Sequence, residues 1–112
     1  MVNETKKIEN IKEFREIIAN NQRIMGLDLG SKRIGISISD PGLKIAISLK
    51  TINRNKVDKL INDLNEVVKK FEIGGLIFGI PINMDGSKGK SAQSVTDTAI
   101  LISQNLNMPY GF

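Results

Sequence analysis

Cysteine, histidine and tryptophan are all absent from the 112 residues. Without cysteine there is no disulfide framework and no thiolate metal site. Without histidine the commonest general base and the usual zinc ligand are gone. Any chemistry must run on carboxylates, hydroxyls, Lys, Arg or a hard metal held by oxygen. Aromatic residues are few, four Phe and one Tyr, so the core is aliphatic. No apolar run approaches the roughly 20 residues that span a bilayer. The N-terminus is charged throughout and lacks the apolar segment of a secretion signal. A cytoplasmic protein with no membrane partner is expected. Charge of one sign is in mild excess, 16 basic against 12 acidic residues. That permits a phosphate backbone as partner without requiring one.

What is present reads as one α/β domain preceded by an extension. In residues 1–22, Ile8, Ile11, Phe14 and Ile18 recur at helical spacing, which predicts an added amphipathic helix, solvated in the plainer account and otherwise packed on the domain or docked on a partner. Residues 23–29 form an apolar first strand, expected to be central and covered on both faces. Residues 34–39 alternate as a second strand, with Ile34, Ile36 and Ile38 on one face. Asp40-Pro41-Gly42 is a turn, and residues 45–52 are a third strand, completing an antiparallel meander. Residues 54–71 change to a helical period, with Asn53 or Asn55 as N-cap and Gly74 as terminator. Gly75 to Ile80 reads as a buried parallel strand, and Pro81 to Lys90 as a polar loop. Ser91 is expected to cap a last helix that turns Ala92, Val95, Ala99, Ile102 and Leu106 inward. Tyr110-Gly111-Phe112 begins a further strand. The order is βββαβα.

Two segments carry candidate chemistry. The first is Gly26-Leu27-Asp28-Leu29-Gly30, an acid inside an apolar strand. A buried carboxylate is costly unless a cation or several donors accompany it. Gly26 and Gly30 share its face and are expected to keep that face clear for a ligand. Ser31, Lys32 and Arg33 follow in the turn, a set suited to a phosphate bound with Mg²⁺ or Mn²⁺. The plainer account is an Asp that hydrogen-bonds the turn backbone. The second segment, Gly79 to Ser94, follows the C-terminal end of the fourth strand, where open α/β sheets place ligands. It offers Asn83, Asp85, Ser87 and Lys88 as substrate contacts before a helix N-terminus. A flexible polar loop is the plainer account there. Asp40, before Pro41, is explained by its turn.

At these segments the chain resembles the YqgF, or RuvX-like, family. These are RNase H-fold proteins described as candidate Holliday-junction resolvases and candidate nucleases for the 5′ end of pre-16S rRNA. The matching stretches are Gly26 to Gly35 (G-x-D-x-G-x-x-x-I-G), Ser39-Asp40-Pro41, and Gly79 to Gly86 (G-x-P-x-N-M-D-G). The resemblance covers about residues 23–112. It implies an RNase H-like mixed sheet and a metal-dependent endonuclease acting on an rRNA precursor or branched DNA. It further implies Asp28 as first catalytic carboxylate and metal ligand in a two-metal site. No histidine is needed for that chemistry.

The resemblance also implies two further acids, in an Asp-Glu-Arg-Leu segment and on a later helix, that do not occur among these residues. The expectation is therefore a C-terminally shortened domain, lacking its final strand and helix and with little or no activity. An uncovered apolar edge at Gly74–Ile80 is expected as well, open to homodimerisation or aggregation. Two alternatives stand beside the nuclease. One is a non-catalytic nucleic-acid-binding module. The other is a fragment of a sugar-kinase or Hsp70-like ATPase, which opens with a similar phosphate hairpin.

Overall fold

A computed structural model describes residues 5–54, 56–79 and 90–112. Three strands form the predicted antiparallel meander: β2 (Arg23–Leu29), β3 (Arg33–Ser39) and β4 (Ala46–Asn53), preceded in the chain by β1 (Lys7–Ile8). β5 (Ile73–Phe78) lies parallel to β2 on its other side, and β6 (Tyr110–Gly111) lies parallel to β5. The six-stranded order is β1-β6-β5-β2-β3-β4. This mixed sheet is the expected architecture.

One face of the sheet holds the main core. Met25, Leu27 and Leu29 of β2, Ile34, Ile36 and Ile38 of β3, and Leu76 and Phe78 of β5 are all buried there. α2 (Val57–Phe71) closes over them with Leu60, Leu64 and Val67, and α3 (Lys90–Leu106) with Val95, Ala99 and Ile102. The helical spacing located these side chains correctly, because an apolar stripe at that period has only one way to leave water. Val57, the first residue of α2, remains exposed.

Both ends of α2 differ from expectation. Its N-cap is Lys56, whose side chain makes no cap bond; Asn53 ends β4, and Asn55 lies outside the described residues. The helix stops at Glu72 and not at Gly74. Glu72 takes the left-handed conformation at φ 53° and donates its N–H to the Val68 carbonyl. Two contacts hold it there: Arg23 N–H donates to its carbonyl at 3.0 Å and the Asn21 amide to its carboxylate at 2.8 Å. α3 begins at Lys90, so Ser91 lies within the helix and not before it.

The N-terminal segment is not a solvated helix. Ile8 belongs to β1, which pairs with β6, and only Ile11–Ile17 (α1) is helical. Asn10 caps it by accepting the Glu13 N–H at 3.1 Å. Phe14, 2% exposed, packs with Ile8 and Ile24 on the sheet face opposite the main core. A Cβ on Gly75 would stand 2.5 Å from the Phe14 ring, so the missing side chain there makes room for the aromatic. The anticipated open edge at β5 is likewise closed. Tyr110 and Gly111 pair with Leu76 and Ile77, and β1 pairs outside them. The chain turns back after α3 and lays down even this short strand, which satisfies the β5 backbone. The two sheet edges are β1 and β4.

Candidate active site

Asp28 is exposed, not buried. Side chains alternate along a strand, so Asp28 points away from the face that takes Met25, Leu27 and Leu29. α1 covers that second face only near Ile24 and Ile77, and the Asp28 end stays open. The expected desolvation cost is therefore absent. Among the described residues none donates a hydrogen bond to the Asp28 carboxylate, so the turn-bonding account does not hold either. The acid stands at an open depression of about 370 Å³ that Gly26, Gly35 and Gly79 line with Ser37 and Ser48.

The glycines divide the work differently from the sequence reading. Gly35 is the cross-strand partner of Asp28, and a Cβ there would sit 3.6 Å from the Asp28 Cβ. A Cβ on Gly79 would sit 4.0 Å from Asp28 Oδ1. These two, with Gly26, leave the approach low. Gly26 also leaves room for the Ser37 hydroxyl, into which a Cβ would run. Gly30 serves the turn and not the ligand face. Its N–H donates to the Arg33 carbonyl at 2.9 Å, and a Cβ would meet that carbonyl oxygen at 2.7 Å. The signal for Gly35 and Gly79 was their place in the two motif stretches; the pairing that brings them beside Asp28 required the fold.

Ser31, Lys32 and Arg33 are exposed on the turn that leaves β2 just past Asp28. Two cations thus stand at the same end of the sheet as the acid. Asn83, Asp85, Ser87 and Lys88 lie outside the described residues. Their segment departs from Gly79, whose N–H donates to the Leu27 carbonyl at 3.0 Å beside Asp28. Asp40 is five residues beyond Gly35, about 16 Å along the strand, and takes no part. Its carboxylate accepts the N–H groups of Lys44 and Ile45 at 2.8 Å and of Gly42 at 3.1 Å. Those bonds, Ile45 first, hold its pKa below the usual carboxylate value.

Asp28 and the nearby Ser37 and Ser48 are oxygen donors, the chemistry a hard divalent cation selects. The carboxylate, without a donor among the described residues and at an open, glycine-walled surface, is a suitable ligand for such an ion. Among the described residues no group of three or more acids is gathered around a metal position, so Asp28 is the one described carboxylate at the depression.

A mixed sheet in this order, with α2 and α3 on one face and an acid on the first meander strand, is an RNase H-like fold. Thermus thermophilus RuvC shares it, with a TM-score of 0.54 at 13% identity over 81% of this chain and 63% of that one. A second RuvC structure, in complex with a Holliday junction, gives 0.53 at 11% identity over 81% and 64%. The chain belongs to the RuvX family, described as Holliday junction resolvase, whose sequence pattern matches residues 22–112. A Pelagibacter ubique relative described as a candidate pre-16S rRNA nuclease is 50% identical over 99 residues, 88% of this chain and 66% of its own length. A Rhodospirillum centenum relative with the same description is 38% identical over 105 residues, 94% of this chain and 55% of its own. The chain thus spans between about half and two thirds of these relatives.

Proposed function

We propose that this chain carries the Asp28 limb of a divalent-metal-dependent endonuclease acting on structured nucleic acid, with the 5′ extension of pre-16S rRNA as substrate during cytoplasmic ribosome biogenesis. The observation that carries the reading is the exposed Asp28 carboxylate at the glycine-lined depression, without a partner among the described residues, with two cations on the adjoining turn. The names of the sequence relatives support the choice of RNA over branched DNA.

Asp28 would hold Mg²⁺ or Mn²⁺ through its carboxylate oxygens. Such an ion neutralises phosphate charge and lowers the pKa of an attacking water. Lys32 and Arg33 bind flanking phosphates, Arg33 with a planar fork suited to two phosphate oxygens. Gly35 and Gly79 admit the sugar–phosphate backbone close to the sheet. Hydrolysis adds the water oxygen to phosphorus and expels the bridging oxygen. A single carboxylate, all that the described residues supply, supports this weakly, since Mg²⁺ keeps several waters unless more oxygen ligands converge. Slow cleavage is expected from this chain.

The test is a 5′-extended 16S rRNA precursor incubated with the protein and Mn²⁺. Cleavage is expected that EDTA and Asp28→Asn both abolish. Cleavage that survives Asp28→Asn overturns the role given to this residue. Salt-dependent binding with no cleavage under any metal would make the chain a nucleic-acid-binding module instead.

A further inference from the structure

Arg54 was not singled out by any motif, yet it joins three parts of the fold. It follows β4 directly. Its N–H donates to the Lys32 carbonyl at 2.8 Å, extending the β3–β4 ladder by one bond. Its side chain then adds two bonds of its own. Nη1 donates to the Gly30 carbonyl at 3.0 Å, and Nη2 to the Thr98 hydroxyl in α3 at 3.1 Å. Gly30 is two residues from Asp28, and its own N–H is already spent on the turn. Arg54 and Thr98 are both half-buried, which strengthens a charge-assisted bond relative to open water.

We propose that Arg54 is a positioning residue for the Asp28 site. Its guanidinium clamps the β2–β3 turn to α3 and so fixes Lys32 and Arg33 relative to the acid. The consequence for nucleic acid rests on the nuclease reading above; the clamp itself does not. Arginine suits the role because its donors lie in one rigid plane and reach two acceptors on different elements at once. Lysine keeps the charge but offers one rotating ammonium, which cannot occupy both positions. The Gly30 carbonyl has no other donor among the described residues, so losing the clamp frees the turn.

The experiment compares wild type with Arg54→Lys, Arg54→Gln and Thr98→Val. It measures affinity for an RNA duplex with a 5′ overhang across a salt series, melting temperature, and amide exchange at residues 30–33. The clamp predicts that Arg54→Lys and Thr98→Val each weaken binding about threefold to tenfold, the worth of one hydrogen bond. The salt slope stays unchanged, because no phosphate contact is removed, and the turn amides exchange faster. The double variant binds no worse than the weaker single one, since both break one bridge. A contrary pattern is a silent Thr98→Val, full rescue by Arg54→Lys, and a slope reduced by about 0.9 in Arg54→Gln; that would make Arg54 a phosphate ligand. Unchanged turn exchange in Arg54→Lys and Thr98→Val also overturns the clamp. If wild-type protein binds no nucleic acid even at low salt, the nuclease reading falls while amide exchange still decides the clamp.

Discussion

At the scale of single residues, Asp28 and Asp40 show how one residue type serves two ends. Asp40 spends its carboxylate on three backbone N–H groups of its own loop. Asp28 spends its carboxylate on nothing described. Replacing Asp28 by Asn should therefore leave stability within about 0.5 kcal/mol, as for other exposed substitutions, while metal-dependent activity is lost. Melting curves beside cleavage rates check this. The Asp40 pKa is lower folded than unfolded, so its bonds contribute stability above the ordinary carboxylate value and lose it as pH falls through the folded one. Below about pH 4, Asp40→Asn should flatten the acid limb of a stability-against-pH curve. Asp28 was legible as an acid in an apolar strand. The reason inferred for it, burial, was not correct, because alternation alone does not tell which face a helix will cover.

At the scale of elements, the legible parts are those with a repeating pattern. β2, β3, β5, α2 and α3 follow from periods of 2 and 3.6, or from an unbroken apolar run, within a residue or two at most ends. β6 is the further strand expected at Tyr110 and pairs with β5, whereas β1, two residues long and too short for any period, pairs with β6 and was not legible. Ile8 and Phe14 fell on a helical spacing by coincidence: one is in a strand and the other in a two-turn helix. Phe14 anchors this segment. Phe14→Ala should cost about 3–5 kcal/mol, a large share of the roughly 5–15 kcal/mol a small domain has. Denaturant titration measures it. Gly75→Ala should cost about 1–3 kcal/mol by pushing the same ring out of place. If neither change lowers stability, α1 does not pack as described.

At the scale of the whole molecule, the modest net charge of +4 matters less than where charge sits. Lys32 and Arg33 adjoin the open end of the sheet. Each should carry one phosphate contact, so Lys32→Ala or Arg33→Ala should lower the salt slope of duplex binding by about 0.9. Changing Lys59 or Lys69 on α2 should leave that slope alone. The central claim is that Asp28 holds a divalent cation on the uncovered face. Paramagnetic broadening of amide NMR signals by Mn²⁺ tests it most directly, because it needs no turnover. The account predicts that Asp28, Gly35 and Gly79 broaden first and that Asp28→Asn abolishes the effect with the rest of the spectrum unchanged. Broadening that persists in Asp28→Asn, or that centres on the Asp40 loop, would contradict it.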